Sequence, residues 1–261
     1  APMLVPGPLV PRAVAAWTSA NQIAVISGPA LGGLVFTLSP VLVGVICVVF
    51  FVISSVLITF VKVQGPPPAR EPPTFASVLA GFDYVRSRPR LLGVITLDLF
   101  VVLLGGVTGL LPIFASDILE VGPIGLGLLR SAPAAGALVT AIILSRYPVE
   151  RHIGRKMFTV VAIYGVATIV FGLSTWFPLS LFALACLGAS DALSVVIRFS
   201  LVQIETPDEK RGRVSAINYL LVGSSNTLGE FESGMVAGWL GAVPSVLIGG
   251  VGSLLVAGIW M

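Results

Sequence analysis

Six charged side chains stand inside long apolar runs of this chain: Asp98, Arg130, Asp191, Arg198, Glu230 and Glu232. A charge at the centre of a lipid-embedded helix costs ~2.5–3.5 kcal/mol on insertion scales unless it meets a partner or water. Residues kept against that cost pair between helices, bind a charged solute or carry protons. Two readings follow from the types alone: all six form structural ion pairs, or at least one carboxylate handles a proton or a solute. At ~1.5 Å per residue, Asp98 lies about 10 Å and Arg198 about 7 Å from corresponding ends of their runs, so they match in depth and can pair. Arg130 lies about 9 Å, and Glu232 and Glu230 about 10 to 13 Å, from the other ends, which allows a second pair. Asp191 and Arg198 share one helix face with Ser194 between them, a pattern suited to lining a wet path. Glu230 and Glu232 are roughly 200° apart around a helix, so one can face a cavity while the other pairs. Glu230 is the first candidate for the titrating carboxylate and Asp191 the second, followed by Asp98 and Glu232. Asn218, Ser224, Ser225, Asn226 and Thr227 add a polar seam to the run that carries both glutamates.

The elements that must position these residues are eight apolar runs, at 14–38, 41–61, 91–115, 124–145, 157–176, 178–203, 214–239 and 243–261. Each approaches or exceeds the ~20 residues that cross ~30 Å of hydrocarbon. The chain is 56% hydrophobic and 10% charged, with mean hydropathy +1.03, where a soluble domain is about 25% charged. A water-soluble core does not account for this composition; an all-α membrane protein with eight transmembrane helices does. Apart from Arg130 and Arg198, all of the fifteen Lys and Arg fall at the chain start or in the connections after runs two, four and six. The opposite connections carry only Asp117 and Glu120. By the positive-inside rule the basic side is the cytoplasm. The net charge of +3 would also suit nucleic acid. However, the bases cluster beside apolar spans without aromatic interleaving, so membrane lipid is the expected partner and nucleic acid is not.

The chain divides into 1–61, with two runs; 62–90, a cytoplasmic linker; and 91–261, with six runs. The linker opens on the proline-rich "KVQGPPPAREPPT", which favours extended geometry. Beyond Thr74, a predicted N-cap, Phe75, Val78, Leu79, Phe82 and Val85 recur at helical spacing, which predicts an amphipathic helix on the membrane surface. "SGPALGGL" at 27–34 matches "SGMVAGWL" at 233–240 at Ser, Gly, Gly and Leu. This pairs runs one and two with runs seven and eight, as repeated six-helix units would. The expectation is therefore a fragment of a six-plus-six protein whose first four helices precede residue 1.

Gly28, Pro29, Gly32 and Gly33 form a small-residue helix face, as do Ala132, Pro133, Gly136 and Ala137; such faces let helices approach closely. Thr206, Pro207, Asp208 and Glu209 read as N-cap, first position and acidic first turn of a helix. Lys210, Arg211, Gly212 and Arg213 follow, with the three bases at the lipid headgroups. Cys47 and Cys186 read as small buried hydrophobes, and His152, the single histidine, as a solvated loop residue. No phosphate loop, metal-spaced cluster or nucleophile with a histidine base is present, so the expectation is no enzyme, no metal and no cofactor.

With these residues in view, the chain resembles the major facilitator superfamily. "GPALGG" at 28–33 is similar to the core of its antiporter motif, and "GRK", Gly154, Arg155 and Lys156, to the end of its loop motif. "RFSLVQIETPDEKRGRVSAIN" and "NTLGEFESG" are similar to the branch containing the enterobactin exporter and macrolide-efflux-like proteins. The resemblance implies the major facilitator fold, with this chain covering helices five to twelve. It also implies alternating access, powered by the proton gradient, that exports a small molecule such as a siderophore or amphipathic drug across the bacterial inner membrane. In that scheme the protein is a monomer, Asp98, Asp191, Arg198 and the seam with Asn218 and Asn226 line a central cavity, and the small-residue faces sit where the halves rock. A non-transporting membrane scaffold or receptor, or a uniporter or importer of the same fold, remains the alternative. In single-cysteine labelling of intact cells, Lys210→Cys should be protected and Glu120→Cys should react; the reverse pattern would overturn the topology.

Overall fold

The computed structural model describes residues 10–61, 82, 84–146 and 153–260, and every described element is helical. The helices are α1 (Val10–Leu38), α2 (Pro40–Thr59), α3 (Pro89–Leu104), α4 (Val107–Ile113), α5 (Gly122–Arg146), α6 (Ile153–Leu173), α7 (Phe177–Glu205), α8 (Asp208–Leu240) and α9 (Ala242–Trp260). A π-helical turn, Phe114–Ile118, extends α4. Proline in the first turn starts α2, α3 and α7; there its fixed φ suits the helix and its missing N–H is not needed. Gly241, at φ 95°, ends α8 in a conformation that a side chain would strain.

Six spans are long and apolar enough to cross a membrane: Pro40–Thr59, Leu91–Ile118, Gly122–Leu144, Gly154–Leu173, Phe177–Val202 and Ala242–Trp260. Eight were expected, and the other two fall short for different reasons. The described apolar part of α1 is Ile23–Leu38. α8 has 33 residues, about 50 Å at ~1.5 Å per residue, so it is long enough, but its polar seam and two glutamates lower its hydropathy. Thr206 and Pro207 also shift by a residue: Pro207 precedes α8, and Thr206 ends the α7 side of the turn, buried with no partner for its hydroxyl among the described residues.

α5 packs between α1 and α7, and α6 between α7 and α9; α8 lies against α3, α4 and α9. α2 packs on α1 and buries none of its side chains, so Cys47 is exposed rather than buried. Without a hydrophobic driving force between helices in lipid, contact rests on close packing at small residues. The structure corrects which small residues do this. On α1, Gly33 meets Pro123 and Gly127, and Gly127 meets Pro29 and Ala30, while Gly28 and Gly32 face open space. On α5, Gly136 abuts the Ala185 carbonyl, and Gly188 of α7 abuts Pro133. That face therefore serves the crossing with α7 and not the one with α1. The repeat partners Gly234 and Gly238 face open space as Gly28 and Gly32 do, and each repeat closes in a one-residue turn, at Ser39 and at Gly241.

The linker, Thr74 and His152 lie outside the described residues. Of the predicted amphipathic helix, Tyr84 and Val85 are buried and Phe82 is half exposed. Tyr84 and Val85 join Leu91, Ile95, Val202 and Val214 in an apolar cluster over the ends of α3, α7 and α8. The Tyr84 hydroxyl donates to the Glu205 carbonyl at 2.7 Å. The described end of this segment thus packs on protein. Gly136→Leu should lower the melting temperature in detergent markedly, since overpacking costs ~1–3 kcal/mol or more. Gly258→Ala, where nothing lies within 4 Å, should leave it unchanged.

Candidate functional site

The intramembrane charges separate into two systems. The first is a buried polar layer, in which Arg198 Nη1 pairs with Asp98 Oδ2, with the two side chains only 2% and 6% exposed. Ser194, one turn before Arg198 on α7, donates to Asp98 Oδ1 at 2.7 Å, so both carboxylate oxygens are engaged. Asn218 is fully buried, and among the described residues neither its amide nor Arg198 Nε has a partner. Asp98, Arg198 and Asn218 each stand one turn from Ile95, Val202 and Val214 of the apolar cluster capped by Tyr84. That cluster closes the layer on one side.

The second system is open. A cavity of about 370 Å³ is lined by Arg130 of α5, Asp191 of α7, and Asn226 and Glu230 of α8, together with Tyr164 of α6. Arg130, Asp191, Asn226 and Glu230 are exposed on its wall. The Glu230 stem rests on Gly109 of α4, where a methyl group would come 3.4 Å from its Cβ. Glu232 points elsewhere: it is half-buried, and the Ser233 hydroxyl donates to its Oε2 at 3.4 Å. The two glutamates therefore divide as their angular separation requires.

Two expectations are corrected here. Asp98, Arg198 and Asn218 do not line the cavity, and Asp191 does not share a path with Arg198, because Ser194 and Arg198 turn into the buried layer. Among the described residues no ion pair joins Arg130 to Glu230, Glu232 or Asp191, so the second pair expected from depth is not made. The Asp98–Arg198 pair is. At the ends of the bundle, Gly154, Arg155 and Lys156 are exposed at the start of α6 and Gly212 is exposed in α8, while the side chains of Arg211 and Arg213 lie outside the described set.

A break at Gly105 and Gly106 was not predicted. It divides a single expected span into α3 and α4, and both glycines line the cavity. Gly106 lies against the Gly229 carbonyl and the Ser233 hydroxyl oxygen, and Gly229 lies against the carbonyls of Val102 and Leu103. The Gly105 carbonyl in the break accepts from Val107 N–H at 2.6 Å and from the Tyr164 hydroxyl at 3.2 Å. Irregular backbone at membrane depth is tolerated where it is buried in protein or lines a cavity, and discontinuous helices of this kind form solute and ion sites in transporters. The Gly-Gly pair followed by Pro112 was the available sequence signal.

The Major Facilitator Superfamily profile matches residues 1–230. The uncharacterized MFS-type transporter YvqJ of Bacillus subtilis is 25% identical over 251 residues, covering 93% of this chain and 59% of that protein. The enterobactin exporter EntS of Shigella dysenteriae is 26% identical over 237 residues, covering 88% of this chain and 56% of that protein. EntS of Citrobacter koseri is 27% identical over the same length and shares. The chain thus spans somewhat more than half the length of these relatives.

Removing one member of a buried ion pair costs ~3–5 kcal/mol, while replacing both with apolar groups is often neutral. Arg198→Met alone should therefore destabilise the protein by about that amount in denaturant titration, and Asp98→Leu with Arg198→Met should recover most of the loss. A double variant as unstable as the single would contradict the pairing.

Proposed function

We propose, from the premise that this chain belongs to the Major Facilitator Superfamily, that it supplies two helices of one half and the six helices of the other half of a proton-coupled exporter. Membership indicates a multi-pass membrane transporter rather than an enzyme. The finer reading is export of a small amphipathic molecule, siderophore or drug, across the bacterial inner membrane, with the basic connections in the cytoplasm. The enterobactin exporters among the relatives support that class of cargo. The proton gradient is the energy source, no cofactor or metal is used, and the working unit is a monomer.

The observation that carries this reading is the cavity in which Asp191, Glu230, Arg130 and Asn226 meet beside a broken helix. Carboxylates open to a cavity can exchange protons; a carboxylate locked by a guanidinium and a serine hydroxyl, as Asp98 is, cannot readily do so. Glu230 and Asp191 are therefore the proton-coupling groups, and Asp98 is structural. Protonating either changes the charge that shares the cavity with Arg130. A conformational equilibrium shifts only by the difference in free energy that the proton makes between the two states. The carboxylates supply that difference if one access state holds them closer to Arg130 or further from water than the other.

α1 and α5 touch through the backbone at Gly33 and Gly127, which joins the six-helix half to a helix of the other half. Rocking of the halves then pivots at this crossing. In membrane vesicles, Glu230→Gln should abolish substrate-induced proton flux while leaving the protein inserted and folded, and Asp191→Asn should reduce it at least tenfold. Wild-type flux in both variants would remove these carboxylates from the coupling step, and transport indifferent to the pH gradient would remove proton coupling altogether.

A further inference from the structure

Arg130 borders two spaces. Besides the cavity shared with Asp191 and Glu230, it lines a crevice of about 460 Å³ between α1, α2, the π-helical turn and the start of α5. Gly32, Phe36, Val43, Ala115, Ser116 and Leu126 are among the crevice walls. Apart from Arg130 the side chains that line it are apolar or hydroxylic, and the Ser116 hydroxyl is already donated to the Pro112 carbonyl at 3.0 Å. The Gly33–Gly127 crossing fixes α1 and α5 at one edge of the crevice, and Gly32 leaves space with nothing within 4 Å of an added methyl. The result is an apolar slot with one cation, no carboxylate on its walls, and no ion-pair partner for that cation among the described residues.

We propose that Arg130 recognises the anionic head of an amphipathic small molecule whose apolar body occupies this crevice. The inference deepens the transport reading by naming the class of cargo, and rests on it. An intramembrane arginine left unpaired is expensive unless water or a ligand meets it. Its planar fork of donors matches a carboxylate, sulfonate or phosphate in bidentate fashion, and it stays charged where a lysine would lose its proton more readily. A mostly apolar site with one convergent charged group selects for an amphiphile with one acidic end. Because Arg130 also borders the cavity, an anion held there faces Asp191 and Glu230 across the same space. Cargo held at Arg130 therefore adds its charge to the space that both carboxylates line.

The test uses the purified protein in phosphatidylcholine nanodiscs, without a gradient, titrated with fluorescent 11-(dansylamino)undecanoic acid and with its methyl ester. Wild-type protein should prefer the acid at least tenfold. Arg130→Gln should weaken the acid at least tenfold and the ester less than twofold, Arg130→Lys should retain part of the preference, and Ser116→Trp, which fills the crevice, should weaken both. No acid preference in the wild type, or equal losses of acid and ester in Arg130→Gln, would overturn the proposal; the wild-type comparison needs no variant to fold. Replacing a third of the lipid with phosphatidylglycerol separates the two sources of such an anion. An undiminished acid titration supports a free amphiphile, and displacement of the acid by the lipid overturns the assignment to cargo in favour of a headgroup. Because binding is read without transport, the acid preference stands or falls independently of whether Glu230→Gln stops proton flux.

Discussion

Helices in hydrocarbon gain nothing by hiding apolar surface from one another, so the places where their backbones touch fix the architecture. In this chain several of those places are glycine-built, among them Gly33 with Gly127 between α1 and α5, Gly136 and Gly188 between α5 and α7, Gly106 with Gly229 between the α3–α4 break and α8, and Gly249 against the Leu104 carbonyl. Each puts main chain against main chain and so locks the rotation of two helices about their axes. The cavity lies among these contacts, and its walls include Gly106 and Gly188 themselves and Pro133, which abuts Gly188.

The same rotation decides the fate of each charge. On α7, Asp191 and Arg198 are seven residues apart, nearly two turns, yet one opens to the cavity and the other is buried against α3. The difference lies in what each meets. Arg198 finds Asp98 already held by Ser194 under an apolar lid, whereas Asp191 faces the cavity that Arg130, Tyr164 and Glu230 also line. One system is a fixed internal pair and the other is available to solutes and protons, and the fold keeps the two apart within a single helix.

Much of this was legible in the residues. Charges in apolar runs marked the important positions, and matched depths along two helices foretold the Asp98–Arg198 pair, because rise per residue is nearly constant. The angular offset foretold that Glu230 and Glu232 would part. The rotation of each helix about its axis was not legible, since the whole bundle sets it. That is why Asn218 and Arg198 were placed on the cavity wall but lie in the buried layer, why Arg130 was given a glutamate partner it does not have, and why the Gly136 face, expected where the halves rock, packs instead against α7. Tyr164 carried no signal at all as an uncharged aromatic in an apolar run. The Gly105–Gly106 break did carry one, but a composition that satisfies a membrane span conceals an interruption within it.

A span in two pieces does not behave as a rod. The upper piece of this one is fastened at the aromatic lid and the buried pair; the lower piece leans on α8 beside Glu230 and runs on into the π-helical turn. With no unbroken ladder of helical hydrogen bonds through residues 105 and 106, torque applied at Tyr84 is not delivered whole to Pro112. The two ends of the bundle can answer separate loads, and the joint where they differ sits at the wall of the chamber.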